Sequence, residues 1–265
     1  MKISVSIVVY HPDPDLFGQV IDALSTGKPG SVDLQLLVID NSEQASVTRR
    51  LRKSVQQWPE LDYWIYSNVN NTGFGKAHNQ ILENLKSDYH LILNPDVVIE
   101  SGAISAALEY MEQNSGASML TPKSIDASGK QAFLCKRYPT ALDLLLRGFA
   151  PNWIKGRFDK RLARYEMRNI TRDQPVTDIP IASGCFMFFR TGVLRNLGGF
   201  SPDYFMYFED FDLCMHMRGR YRIDYVPAVQ ITHTGGDTAR KGIRHIRMFC
   251  VSAFRFFSRW GWKWW

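Results

Sequence analysis

The chain's 265 residues are 45% hydrophobic and carry a formal net charge of +6. That supports one substantial core, most simply one α/β domain with a smaller appendage, and the positive balance suits an anionic partner, whether nucleotide, nucleic acid or acidic lipid. No run reaches the ~18–20 apolar residues of a membrane span, the N-terminal stretch reads as a strand and not as a signal peptide, and Cys135, Cys185, Cys214 and Cys250 form no C-x-x-C pair, which argues for a reduced, cytosolic protein without a disulfide framework or zinc site.

Residues 3–9 are apolar and β-branched, a first central strand. His11-Pro12-Asp13-Pro14-Asp15 then turns the chain, with Asp13 as a helix N-cap and Pro14 in the first turn, where its missing N–H does no harm. Leu16, Val20, Ile21 and Leu24 share one helical face. Residues 34–39 form the next buried strand and end in Asp40-Asn41-Ser42. A second helix is expected to run to about Trp58 and stop at Pro59, and residues 63–66 make a third strand. Strand, helix, strand, helix, strand argues a parallel sheet with right-handed crossovers.

Asn68 to Asn79 is a polar loop containing Gly73 and Gly75, leading into a helix that carries Ile81, Leu82 and Leu85. The glycines let a backbone approach a ligand closely, and the helix N-terminus favours anionic groups, although a plain loop-to-helix cap explains the stretch equally simply. Leu91-Ile92-Leu93 is a short buried strand broken by Asn94-Pro95-Asp96. Alone, that tripeptide reads as a turn. Past the C-terminal end of a strand in an open α/β sheet, it also stands where ligands bind, and Asp96 with Asn94 beside a nucleoside diphosphate would suit Mg²⁺ or Mn²⁺. A helix to about Gln113, a strand over 118–122 and a hairpin turn over 124–130 follow.

Residues 136–176 are rich in arginine and lysine interleaved with Tyr138, Phe149, Trp153, Phe158 and Tyr165. They read as a partly helical insertion or lid, either a solvated surface or a platform for a phosphate-bearing acceptor or a membrane. Residues 178–190 return as one core strand, and a short helix stops at Gly198-Gly199. In Tyr204 to Arg218, Glu209, Asp210 and Asp212 stand among bulky aromatics, where partial desolvation raises a carboxylate pKa and makes it a better general base. Two short strands over 221–226 and 229–232 lead to His233-Thr234-Gly235-Gly236-Asp237-Thr238, in which His233 is a candidate metal or phosphate ligand. From Arg240 to Trp265 there is no acid, and basic residues mix with aromatics, including Phe256, Phe257, Trp260, Trp262, Trp264 and Trp265. That mixture fits an interfacial membrane helix, a helix packed on the domain, or both.

Together these stretches resemble glycosyltransferase family 2, and within it the bacterial rhamnosyltransferase-like branch that builds O-antigen and other surface polysaccharides. The pieces that carry the resemblance are Ser6 to Tyr10, Val38 to Ser42, Asn71 to Asn79, Leu93 to Val97, Gly184 to Met187, Gly198 to Phe200, Phe205 to Cys214 and His233 to Thr238. The resemblance implies an inverting transferase of the GT-A fold: a Rossmann-like, mostly parallel α/β sheet flanked by helices over 1–239, with the basic helical insertion at 136–176 and an amphipathic membrane-associating segment over 240–265. It implies a nucleotide-sugar site made by Val9, Tyr10, Asp40, Asn41, Gly73, Phe74, Asn79, Asn94, Gly236 and Thr238. Asn94-Pro95-Asp96 falls at the family's D-x-D position, so Asp96, with His233, would hold Mg²⁺ or Mn²⁺. Asp210 matches the catalytic base, with Glu209 beside it. The implied partners are an NDP-sugar donor, with dTDP-rhamnose expected from the branch, a lipid-linked saccharide acceptor and the inner face of the bacterial cytoplasmic membrane, with no role for nucleic acid.

Two other readings compete. A sugar nucleotidyltransferase would normally begin with a glycine-rich basic phosphate loop, which His11-Pro12-Asp13-Pro14 does not supply. A basic, aromatic nucleic-acid-binding or scaffold protein accounts for the insertion and tail but not for the acidic stretch.

Overall fold

The sheet is set by short apolar runs that end at breakers. In the computed structural model, which describes residues 1–234 and 242–265, the chain runs β1 (Lys2–Val9), α1 (Pro14–Gly27), β2 (Asp33–Asp40), α2 (Ala45–Val55), β3 (Asp62–Ser67), α3 (Phe74–Asn79), β4 (Tyr89–Leu93), β5 (Val97–Ile99), α4 (Ala103–Gln113) and β6 (Ala117–Asp126). It continues with β7 (Gln131–Ala132), β8 (Cys135–Lys136), α5 (Ala141–Phe149), α6 (Asn152–Arg157), α7 (Asp159–Tyr165), β9 (Ile181–Ala182), β10 (Phe186–Arg190), α8 (Thr191–Leu197), α9 (Glu209–Met217), β11 (Arg222–His233) and α10 (Ile243–Trp260).

The main sheet has the order β3-β2-β1-β4-β10-β6-β11-β5. The first four strands are mutually parallel, in registers such as Val9↔Asp40 and Ile7↔Leu93. Strand β10 is antiparallel to both neighbours, and β11 is parallel to β6. Hence β1, β2, β4 and β11 all end on one edge, while β10 begins there. Helices cover both faces: Phe17, Val20, Ile21 and Leu24 of α1 enter one core, and Ala77 joins Leu213, Cys214 and Met217 of α9 in the other. Asp13 caps α1 by accepting from the N–H groups of Asp15 and Leu16.

Several local expectations change. Phe17, and not Leu16, takes the inward position on α1, and α2 stops at Val55, short of Trp58. The α-helix after Gly73 ends at Asn79; a 3₁₀ turn over Leu82–Asn84 follows, and Ile81, Leu82 and Leu85 are still buried. The single strand expected over 178–190 is split: β9 pairs with β8 in a separate two-stranded sheet, and β10 joins the main one. Ser183-Gly184-Cys185 makes the break because its backbone bonds leave the ladder for Leu134, Asp210 and Asn94. Conversely, the two strands expected over 221–232 are one, kinked by a register shift between Val226 and Gln230. Pro227 lies in that gap and lacks an N–H, which suits a bulge.

The insertion and α10 form a third cluster with α9: Leu144, Tyr165, Tyr204, Phe208, Met215, Phe256 and Phe257. Phe256 and Phe257 are buried, so these two aromatics stabilise the fold, by about 1.5–3 kcal/mol each. Trp260 also turns inward, its Nε1 donating to Asp212 Oδ1 at 2.8 Å. Phe254, Trp262, Trp264 and Trp265 remain exposed. No helix among the described residues is long and apolar enough to cross a membrane.

Candidate active site

The edge where the parallel strands end collects the predicted chemistry. After β4, the turn Asn94-Pro95-Asp96 is held from two sides: Asn94 N–H donates to Cys185 C=O (2.9 Å), and Thr234 N–H and Oγ1 both donate to Asp96 C=O (3.2 Å each). The second pair of bonds sews the end of β11 onto the turn. It brings His233 Nε2 to 3.4 Å from Asp96 Oδ1, although 137 positions separate the two residues in Met1–Trp265. His233 Nε2 is buried and makes no hydrogen bond among the described residues. An imidazole nitrogen without a proton donor, set beside a carboxylate oxygen, fits a divalent cation. No group of three or more His, Cys, Asp or Glu side chains gathers there among the described residues.

Asp210 arrives from the N-terminus of α9. Its Oδ2 accepts from Gly184 N–H at 2.8 Å and its Oδ1 from Phe211 N–H at 2.9 Å. Gly184 eases this approach: a Cβ there would lie 3.1 Å from Asp210 Cβ, close enough that one of them would have to shift. Burial raises the Asp210 pKa, and the two N–H bonds pull it partly back. Glu209 is buried with Oε2 unpaired among the described residues, and burial followed by the Asp210 charge pushes its pKa well up. Asp212 has a different job. Fully buried, it accepts from Tyr204, Arg259 and Trp260, and so ties α9 to α10.

The remaining predicted residues surround this edge. Val9 ends β1, and its C=O takes Asn41 N–H at 2.9 Å. Tyr10 is half exposed, its ring edge-on to His11. Asp40 is buried with both oxygens engaged, by Ser42 N–H (2.9 Å) and Thr48 Oγ1 (2.6 Å). Asn41 is also committed internally, donating to Gly73 C=O (3.0 Å) and accepting from Asn68 (2.7 Å). Gly73 has φ +84°, and a side chain there would strike the Phe205 carbonyl, which accepts Phe74 N–H at 3.0 Å. Asn79 grips the Phe200 backbone with both amide atoms, at 2.7 and 2.9 Å. Asp40, Asn41 and Asn79 thus shape the loops of the site and offer few free polar atoms to it. Gly236 and Thr238 lie outside the described residues.

Sequence reasoning missed a buried polar chain beneath this edge. His78 Nδ1 bonds Ser6 Oγ (2.8 Å), Ser6 meets His90 Nε2 (2.9 Å), His90 Nδ1 meets Ser4 (2.7 Å), and Ser4 meets Ser87 (2.6 Å). Burial lowers the pKa of both imidazoles, that of His90 to about 3. The alternation of Ser4 and Ser6 in an otherwise apolar strand was the available signal. Also missed was the backbone before α9, where Tyr207 and Phe208 both have positive φ, 69° and 64°.

A doubly covered sheet with its acids gathered at one edge is the architecture of GT-A glycosyltransferases. The crystal structure of GalNAc-T7 with UDP, GalNAc and Mn²⁺ superposes with a TM-score of 0.65 at 13% identity, over 88% of this chain and 43% of that one. The chain thus spans less than half of that protein's length. Residues 2–248 match the family described as "Glycosyltransferase like family 2", and the chain belongs to that family. It is rhamnosyltransferase-like. The rhamnosyltransferase WbbL of Escherichia coli is 26% identical over 263 residues, covering 96% of this chain and 92% of WbbL. The N-acetylglucosaminyl-diphospho-decaprenol L-rhamnosyltransferase of Mycobacterium tuberculosis is 27% identical over 282 residues, covering 98% and 85%.

Proposed function

We propose that this glycosyltransferase moves a sugar, with rhamnose from dTDP-rhamnose the expected case, onto a hydroxyl of a lipid-linked oligosaccharide in bacterial O-antigen or surface-polysaccharide synthesis, inverting the anomeric centre. The observation that carries the reading is Asp210, a carboxylate fixed by two backbone N–H groups on the edge that also holds the Asp96–His233 pair. The relatives' names support both the sugar and a diphospho-lipid acceptor.

Each Asp210 oxygen accepts one backbone N–H and keeps a lone pair for an acceptor hydroxyl. Burial and the Asp210 charge push Glu209 toward its protonated form, while the two backbone N–H bonds favour negative charge on Asp210. Asp210 then takes the hydroxyl proton as that oxygen attacks the anomeric carbon from the face opposite the diphosphate. Holding donor and acceptor in line removes much of the entropic barrier. Asp96 and His233 would hold Mg²⁺ or Mn²⁺, which when bound neutralises charge on the departing diphosphate. Val9, Tyr10, Gly73, Phe74 and Asn94 would line the donor pocket on loops braced by Asp40, Asn41 and Asn79, with Gly236 and Thr238 completing it. The exposed Phe254, Trp262, Trp264 and Trp265, with the basic side chains of α10, would rest the enzyme on the inner face of the cytoplasmic membrane.

Calorimetry with a panel of nucleotide-sugars tests the reading, run with Mn²⁺ or Mg²⁺, then with EDTA, on wild type and Asp96→Ala. Metal-dependent binding of one donor, weakened by the substitution, is expected. Failure of every donor to bind would overturn it.

A further inference from the structure

The insertion, α9 and the tail after α10 enclose a cavity of about 490 Å³ that has no part in the donor site described above. Arg137, Arg164, Arg218 and Lys263 line it, and so does the ion pair Arg161–Asp143 at 2.6 Å. With Asp178 as the other lining acid, the wall holds a surplus of three positive charges. Arg137, Arg164 and Arg218 form no ion pair among the described residues, and Lys263 Nζ lies over the Tyr138 ring at 4.8 Å. This wall is built, because the N–H groups of Ala141 and Leu142 hold the carbonyls of Lys263 (2.8 Å) and Trp264 (3.3 Å), and Tyr138 Oη donates to Gly261 C=O (2.5 Å). Trp265 and Tyr138 supply aromatic surface beside the cations.

Position relates the cavity to the chemistry. Cys214, one turn along α9 from Asp210, is part of the wall, and Arg218 follows about 12 Å along the helix axis from the base. A ligand reaching from the base into this cavity meets unpaired guanidinium groups, which suit phosphate oxygens. The volume admits a sugar diphosphate and excludes a nucleic-acid duplex. We infer that this cavity is the binding site for the diphosphate of the acceptor, so that the acceptor's reducing end sits between α7, α9 and the tail while its hydroxyl faces Asp210. The inference rests on the lipid-linked acceptor proposed above.

The test is calorimetric titration of the full chain with inorganic pyrophosphate in EDTA, on wild type, Asp96→Ala and the double variant Arg164→Gln/Arg218→Gln. Both arginines are exposed, so the double variant should fold normally, which a thermal melt checks. Pyrophosphate should bind wild type and Asp96→Ala alike and bind the double variant about tenfold or more weaker. Equal binding to the double variant, or binding lost only in Asp96→Ala, would overturn the assignment. The source of the phosphate is then read from two assays. With a diphosphate-linked acceptor, the double variant should raise the acceptor KM while sedimentation with phosphatidylglycerol vesicles stays unchanged. Lost vesicle binding with an unchanged KM would make the ligand a lipid headgroup and sink the acceptor assignment. Because pyrophosphate binding is read without any sugar transfer, failure of the transferase reading would show separately.

Discussion

Gly184→Ala isolates the positioning of Asp210, the proposed base, from its chemistry. The new Cβ would stand 3.1 Å from Asp210 Cβ and 3.5 Å from Oδ2, tighter than ordinary contact, so one group must move by a few tenths of an ångström. The backbone φ at Gly184 is not positive, so the methyl adds no left-handed strain of its own. What yields is the 2.8 Å bond from Gly184 N–H to Asp210. A hydrogen bond to a charged group is worth about 1.5–3 kcal/mol, and if it fixes the base in line, its loss slows transfer by about 10–100-fold. The same N–H also lowers the Asp210 pKa. Weakening it should therefore move the acidic limb of the kcat/KM profile to higher pH, a readout that a purely structural defect would not move. The assay is initial-rate transfer across pH 5–9 with the donor found by calorimetry, alongside a thermal melt to show that the variant is folded. A rate within about twofold of wild type and an unshifted limb would refute this account of Asp210.

Asp212→Ala should destabilise the fold by about 1–3 kcal/mol in urea titration, because it leaves Tyr204 and Trp260 without their buried acceptor while Arg259 keeps Asp203; a loss below about 0.5 kcal/mol would contradict the tie between α9 and α10. Glu209 has a folded pKa raised to about 8, so it contributes stability present in full below its unfolded value and lost as pH rises through 8. Glu209→Gln should flatten that part of the stability profile, and an unchanged slope would count against a buried, protonated Glu209. His78 and His90 have lowered pKa values, so their share of stability is present above the unfolded histidine value and lost as pH falls toward about 3. His90→Asn should reduce acid sensitivity between those limits, as seen by urea titration at successive pH values. Trp264→Ser/Trp265→Ser should weaken binding to anionic vesicles while a thermal melt still shows a cooperatively folded protein, and unaffected binding would remove the tail from the membrane contact.

The parallel half of the sheet was legible because each of its strands is a short apolar run closed by a polar breaker. The placements of Asp96 and Asp210 followed from the same logic, since each acid sits immediately beyond such a run or at a helix start. Pairing over distance came only from the family resemblance, which set His233 with Asp96. Nothing local says that His233 meets Asp96, because that contact depends on β11 running parallel to β6 and being sewn to the Asn94-Pro95-Asp96 turn. Gly184 looked like an interior strand residue; its role as the floor under Asp210 exists only once α9 is docked. Nor could the three acids of α9 be told apart by composition. Their sorting depends on which helix face meets Tyr204, Arg259 and Trp260.

That sorting explains why a basic aromatic tail belongs to a transferase. Tyr207 and Phe208 hold left-handed backbone immediately before Glu209 and Asp210, the proposed base, and each such residue costs about 1–2 kcal/mol. The strain needs support, and α10 supplies it. Tyr207 Oη bonds His245 Nδ1 at 2.8 Å, Ser252 Oγ donates to Met206 C=O at 2.8 Å, and the Phe208 ring packs on Phe249 and Phe256. Arg259 and Trp260 of α10 also hold α9 through its third acid, Asp212. Deleting the tail would therefore release the turn that aims Asp210, as well as any membrane contact. Surface tryptophans, changed one face at a time, separate the two roles. The inward face of α10 braces the turn before Asp210, the proposed base, and the exposed Trp262, Trp264 and Trp265 after it are the groups proposed to meet a bilayer.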